Sequence, residues 1–372
     1  LSSLIPERVD ALLERCHREV DAGRSPGAQL AIGLDGEIVL FEAFGDAGIE
    51  QRFHTYSAVK PTVSLTAMLL AHEGHFDLQA PVADVLEPFG DNGKHEITIS
   101  QVLLHAGGFP YAPLTAEAYA DRSARLECYA RWRTAWEAGS AFEYHPESAH
   151  WVLADLITEV TGSHHADVVA ERVMAPAGQA SWLAIPEEDQ GDVVTVESVG
   201  EPTDPEAFKA RFGFDLPDLG VGTELLMIFN DPSVRAAGHP GGGGIASAAQ
   251  MASWYQAILH DDHTILPSQV RSDALHTVRQ NHPDILGVPS NRTHAFVLAG
   301  DKRTAAARGF GYGVSPMAFG HNGARGQRVW ADPDSGLSFA FMTRGLEEDE
   351  LVHNHWGTAI SSLAAKVTTP FD

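Results

Sequence analysis

Residues 26–45, PGAQLAIGLDGEIVLFEAFG, set two runs of β-forming residues on either side of Asp35-Gly36. An Asp-Gly pair tolerates the positive φ of a tight turn, so the stretch predicts two antiparallel strands joined as a hairpin over residues 28 to 45. Upstream, LSSLIPERVDALLERCHREV (1–20) spaces its apolar residues as an amphipathic helix does and does not read as a signal peptide. Downstream, the run from Ser57 through PTVSLTAMLLAHEG predicts a helix ending at Gly74, with Ser57 at its start.

From about residue 77 to 180 helical patterns dominate, among them AEAYADRSARLECYARWRTAWEAG (116–139) and SAHWVLADLITEVTG (148–162). Residues 184–240 are richer in Pro, Gly and Asp and read as loop or lid material. A glycine run, Gly241 to Gly244, then enters a helix, GFGYGVSP (309–316) and GQRVWADPDSGLSFAFMTRG (326–345) read as strands, and a last helix spans roughly 350 to 366. The order predicts an α+β fold: one antiparallel sheet built from both ends of the chain, flanked by helices, with a mostly helical region inserted. The expected organisation is a single catalytic domain over 1–372, its α/β part at about 1–76 and 240–372 and its helical part at about 77–239.

Composition narrows the function. The 372 residues carry 25 basic and 50 acidic side chains, a formal charge of −25, which repels phosphate backbones and anionic membrane surfaces. Nucleic acid is therefore not an expected partner, and no apolar run reaches the length of a membrane span. Two cysteines, Cys16 and Cys128, make no disulfide framework and no zinc-type spacing. The chain is expected in the cytoplasm; its oligomeric state is not legible.

The chemistry-bearing spacing is in TYSAVKPTVS (55–64), where Lys60 follows Ser57 by three. Positions i and i+3 share a helix face, so the two side chains can exchange a proton. Serine is a weak nucleophile until a base takes its proton. Lysine is such a base only if burial or nearby positive charge brings it well below its usual value of about 10.4. Alone, the spacing arises by chance, with a helix N-cap serine and a surface lysine as its plain alternative.

The blocks around it change that weight. PGAQLAIGLDGEIVLFEAFG, YSAVK, GHFDLQAPVADVL (74–86), ITISQVLLHAGGFP (97–110), FEYHPESAHWVLADLITEVTG (142–162), HPGGGGIASAAQMASWY (239–255) and FGHNGARGQRVWADPDSGLSFAFM (319–342) occur in that order. The series resembles the class C β-lactamase and penicillin-binding-protein-like serine hydrolases, a superfamily that includes family VIII carboxylesterases and D-aminopeptidases. The resemblance implies a β-lactamase/transpeptidase-like fold, with Ser57 as the acylated nucleophile, Lys60 as its proton partner and Tyr144 as the phenol that works with the lysine. It matches His321 and Gly323 to the third motif, Lys-Thr-Gly in many β-lactamases and His-x-Gly in many relatives. It assigns the oxyanion hole to the N–H groups of Ser57 and Ala324, and such fixed donors are each worth about 10²- to 10³-fold in rate. His105 matches a structural histidine.

One departure bears on substrate. Where β-lactam-cleaving relatives commonly carry an asparagine two residues after the tyrosine, this chain has Pro146, which offers no amide; Ser148 is the candidate stand-in. The leading expectation is a carboxylesterase on small esters or lactones. The alternatives are a D-amino-acid amidase or peptidase or weak β-lactamase, an acyltransferase, and a non-catalytic binder on the same scaffold. No cofactor is expected. Metal is not expected either: HEGH (72–75), HDDH (260–263) and HNH (353–355) lack the His-Glu-x-x-His spacing of a helical zinc site. The glycine run lacks a P-loop ending, there is no Gly-x-Ser-x-Gly elbow, and Tyr312 is a further candidate for substrate contact. The pocket walls are expected from the 184–240 region and from CYARWRTAW (128–136).

Overall fold

The computed structural model describes residues 3–216 and 222–368; residues 217–221, within the weakly patterned region, lie outside the described residues. The strands are β1 (Gly27–Leu34), β2 (Glu37–Gly45), β3 (Phe53–His54), β4 (Glu197–Val199), β5 (Ile245–Ala246), β6 (Val297–Leu298), β7 (Phe319–Gly320), β8 (Arg328–Asp332), β9 (Leu337–Thr343) and β10 (Gly345–Glu347). One sheet runs in the order β2-β1-β9-β8-β7-β6, every pair antiparallel. It joins the first hairpin to the last third of the chain: β1 lies beside β9 from Ala28 against Thr343 to Leu34 against Leu337. Asp35 and Gly36 turn the hairpin at φ 52° and 86°, the backbone that the pair was read to supply.

Both faces of the central strands are covered, so period-2 alternation sorts side chains between two cores. Leu30, Ile32, Trp330, Phe339 and Phe341 face Leu12 and Cys16 of the Pro6–Asp21 helix and Trp356 and Ile360 of the Glu350–Ala364 helix. Trp330 lies opposite Phe339, their rings 5.2 Å apart, a cross-strand pair of the kind that stabilises sheets. Ala31, Ala331 and Ala340 face the other way, with the Ala248–Leu259 helix packed on β1, β8 and β9. Small side chains let that helix approach closely: a Cβ on Gly33 would fall 2.5 Å from Gln256 Cγ.

Behind this layer lies the helix Lys60–His72, whose residues from Lys60 to Leu70 are all buried. A helix that is apolar nearly all round belongs inside a fold, and it packs against the Ser148–Thr161 helix and the Ser268–His276 helix. A buried ion pair ties the next layer on: the Arg125 guanidinium donates to both Asp155 oxygens, at 2.9 and 2.8 Å, and Tyr129 donates to the same carboxylate at 2.7 Å.

Three expectations need correction. Residues 309–316 form turns rather than a strand, because Gly309, Gly311 and Gly313 all take positive φ and a Cβ on Gly311 would fall 2.7 Å from the Ser362 amide of the terminal helix. The helix within 116–139 covers only Arg122–Arg131; Trp132 leaves it at ψ 150° and its indole N–H donates to the Pro113 carbonyl at 2.7 Å. Ser57 lies in a 3₁₀ turn, Tyr56–Val59, and the α-helix begins at Lys60 with Pro61 in its first turn, where a proline fits. Among the described residues no helix is long and apolar enough to cross a membrane.

Candidate active site

The tight turn ahead of the buried helix is what presents Ser57. Tyr56, immediately before it, is buried at φ 46°, a left-handed backbone that a bulky side chain adopts only under constraint. The constraint is visible on both flanks. Thr55 donates its amide to the Gly244 carbonyl at 2.8 Å beside the β3–β5 pair, and the Tyr56 ring packs on Phe229 at 5.8 Å. Gly244 has to be glycine here, since a Cβ would fall 2.4 Å from Thr55 Oγ1 and 2.8 Å from Val59 Cβ.

Lys60 is 1% exposed. Its amine donates to Ser57 Oγ at 3.1 Å and, by a closer contact, to the Gly241 carbonyl, which fixes it between nucleophile and glycine run. Burial lowers the ammonium below its ordinary value. The Tyr144 phenol and the Glu147 carboxylate work against that shift, and Arg292 reinforces it.

Tyr144 arrives from a loop held by its neighbours. The His145 amide donates to His105 Nδ1 at 3.1 Å, His145 Nδ1 meets the Glu143 carbonyl at 2.6 Å, and the Phe109 amide donates to His145 Nε2 at 3.1 Å. His105 itself lies 4.7 Å from the Tyr144 ring, so it seats the tyrosine, which agrees with the packing role expected of it. The Lys60 nitrogen is 5.3 Å from the centre of that ring. The phenol oxygen is buried and near enough to bear on the amine's protonation, yet it makes no well-formed hydrogen bond among the described residues.

The third block closes the other side. Gly323 packs so tightly on the nucleophile turn that a Cβ would fall 2.2 Å from the Thr55 carbonyl oxygen. Ala324 follows it as the first residue of a 3₁₀ turn, Ala324–Gly326, and Ser57 is the second residue of its own. Those are positions where a helix leaves N–H groups without an intrahelical acceptor. His321 is buried, its Nδ1 meeting the Asn322 carbonyl at 3.0 Å and its ring 5.9 Å from that of Tyr144; burial, then Arg292 and Lys60, hold it well below the ordinary histidine range.

These groups open on one cavity of about 360 Å³, walled by Ser57, Tyr144, His321, Gly323 and Ala324. The structure thus brings together Ser57, Lys60, Tyr144, His321, Gly323 and Ala324, but not Ser148 or Tyr312. Ser148 is 1% exposed and donates its hydroxyl to the Phe109 carbonyl at 2.9 Å, which makes it part of the helix entrance. Tyr312 is 57% exposed and lies in a separate surface groove with Phe212 and His355. The apolar wall comes from Leu225, Leu226 and Phe229, in the 184–240 region as expected; residues 128–136 line a different cavity.

Two cavity residues, Glu147 and Arg292, were not singled out by the sequence. Glu147 accepts from the Tyr119 hydroxyl at 2.6 Å and lies 3.6 Å from His239. Burial alone would raise its carboxyl, but His239, Tyr119 and the Lys60 charge outweigh it and hold it at about 2. Arg292 stands beside Tyr144 and His321. Glu147 does lie within FEYHPES, one residue beyond Pro146, so proximity to the tyrosine was its only available cue. Among the described residues no group of three or more His, Cys, Asp or Glu is placed to hold a metal ion.

Known proteins share this sequence pattern and fold. The Beta-lactamase family model matches residues 8–361. The Esterase/beta-lactamase LipL of Mycobacterium tuberculosis is 24% identical over 358 residues, covering 90% of this chain and 80% of that protein. A penicillin-binding protein homolog from Caulobacter crescentus superposes with a TM-score of 0.77 at 22% identity, covering 97% of this chain and 98% of that one. A family VIII carboxylesterase superposes with a TM-score of 0.73 at 22% identity, covering 96% and 98%. A match over nearly the whole chain, on a fold shared with those structures, means that this protein belongs to the beta-lactamase family and is a serine hydrolase of the β-lactamase fold.

Proposed function

We propose that the protein is a carboxylesterase acting on small esters or lactones through an acyl-serine. The observation that carries the reading is the contact of Ser57 Oγ with a buried Lys60 amine, 3.1 Å away, at a cavity whose wall beside Tyr144 is Pro146. The Ser57 oxygen attacks the substrate carbonyl carbon while its proton passes to Lys60 and Tyr144. The carbonyl oxygen, now negative, is held by the N–H groups of Ser57 and Ala324, donors whose backbone is already fixed. Collapse breaks the bond to the leaving alkoxide, which takes the proton from the lysine–tyrosine pair. Water repeats the sequence on the acyl-serine and releases the acid.

Pro146 bears on ester against amide. An amide or β-lactam is best held by a donor or acceptor beside its N–H and C=O, and a site lacking such a partner leaves those groups unpaired on desolvation. Proline supplies no N–H, and Leu225, Leu226 and Phe229 suit an apolar acyl or alcohol group. Initial rates with p-nitrophenyl acetate and butyrate, D-alanyl peptides and nitrocefin test this. Turnover of the nitrophenyl esters at least tenfold above the other classes in kcat/KM is expected, and turnover of the peptides or nitrocefin alone would overturn it.

A further inference from the structure

Arg292 is a cation at the cavity wall that the acylation steps above leave unused. Its backbone is pinned: the Arg279 and Gln280 amides donate to its carbonyl at 2.8 and 3.0 Å, and its own amide donates to the Gln280 carbonyl at 2.8 Å. The guanidinium carbon lies 5.3 Å from the centre of the Phe142 ring and 5.2 Å from that of Tyr144. Nη1 is 3.4 Å from His321 Nε2. The side chain thus lies between two aromatic rings and an imidazole. Asp284 is the one carboxylate that bears on its charge, and among the described residues it forms no ion pair with it.

The neighbours show why a charge there matters. Four imidazoles face this region: His105 and His150 from the helical side, His145 beside Tyr144, and His321. All four are held below the ordinary histidine range by burial. Besides Arg292, the charged groups at the cavity are Arg308 and Arg325 on one side and Glu147 and Glu350 on the other, with Arg325 3.0 Å from Glu350; Asp284 bears on Arg292, and burial holds the Lys60 amine below its ordinary value. Burial brings Arg292 down only to about 10, so it stays protonated. Arg325 of the third block is paired with Glu350, and the cation beside His321 and Tyr144 is Arg292.

We propose that Arg292 is a positioning residue of the acylation step, its positive charge stabilising the negative charge that the Tyr144 oxygen carries once its own proton has passed to Lys60 and before it takes the Ser57 proton. A cation beside a phenol favours the ionised form, and the same cation beside Lys60 favours the neutral amine. Both effects make the base available at lower pH. The inference rests on the Ser57, Lys60, Tyr144 reading and not on the preference for esters.

The test compares Arg292→Met and Arg292→Lys with the parent protein. Labelling of Ser57 by a neutral fluorophosphonate is followed as rate against pH, together with kcat and KM for p-nitrophenyl butyrate and for an ester carrying a carboxylate. Arg292→Met is expected to slow labelling by about 10- to 100-fold at pH 7 and to move the acidic limb of the profile up by about one unit. Arg292→Lys should recover part of the rate and shift the limb less. If Arg292→Met does not fold, the limb of Arg292→Lys decides the matter. Parent-like rates with an unmoved limb would overturn the role, as would a loss confined to KM of the carboxylated ester, which would make Arg292 a clamp on substrate. Absence of any adduct in the parent would overturn the site itself and this role with it.

Discussion

Ser57 and Lys60 form a pair through close packing as much as through spacing. The amine has given up water for two oxygens, Ser57 Oγ and the Gly241 carbonyl, and its burial lowers its proton affinity towards the range where it can accept a proton from serine. The Tyr144 hydroxyl adds a different kind of evidence. It is a buried polar atom without a well-formed partner among the described residues, and such a group costs stability. Groups kept against stability are what a functional site contains. Tyr144→Phe is therefore expected to lower kcat/KM for p-nitrophenyl butyrate by about 10²- to 10⁴-fold while leaving the melting temperature unchanged or higher. A marked fall in melting temperature with retained turnover would reverse the assignment. Pro146 and Glu147 show the limit of reading residues singly: the proline was legible as a missing donor, whereas the glutamate's part became visible only when Tyr119 and His239 were found around it.

At the scale of elements, the site is a seam between the nucleophile turn, the glycine run and the third block, held by backbone approaches that only glycine permits. Gly323→Ala would push a methyl group to 2.2 Å from the Thr55 carbonyl and 2.8 Å from Gln327 Cβ. The turn carrying the Ala324 amide has to move, and a loss of about 10²-fold or more in kcat is expected with the far-ultraviolet circular dichroism unchanged. Near-parent kcat in that variant would show that the approach is not used in catalysis. The hairpin and the terminal helices were legible because turn chemistry and periodicity are local properties, whereas the three motif blocks were legible only through the resemblance that their ordered series carries. The strand expected at 309–316 failed because its glycines serve a turn against the terminal helix, a tertiary demand with no local signature. The 116–139 helix stops at Arg131 for a similar reason, with Trp132 turned away to reach Pro113. Arg292 was invisible because nothing in its own segment marks a residue that meets Tyr144 from 148 positions away.

At the scale of the whole molecule, many histidines are buried neutral, and this sets the acid sensitivity of the fold. Burial lowers His54 and His165 to about 3 and His145 and His353 to about 4. The unfolded chain takes up protons near 6.5 that the folded chain refuses until about 4, so stability rises with pH across that window and is lost on acidification through it. Glu147, held at about 2 when folded, adds a loss below about 4.5. The melting temperature is expected to fall already between pH 6.5 and 5, before most carboxylates titrate; a flat melting temperature from pH 7 to 5 would contradict this account. The architecture ties both chain ends into one sheet, while the nucleophile turn follows β3, which pairs with β5 apart from that sheet, and meets the third block by the close approach of Gly323 to Thr55. The central claim is that one serine in this molecule is activated by one buried lysine. Peptide mass spectrometry after reaction with a fluorophosphonate tests it most directly: the account predicts a single adduct on Ser57, absent in Ser57→Ala and at least about 10²-fold slower to form in a folded Lys60→Ala, whereas an adduct on another residue, or undiminished labelling without Lys60, would contradict it.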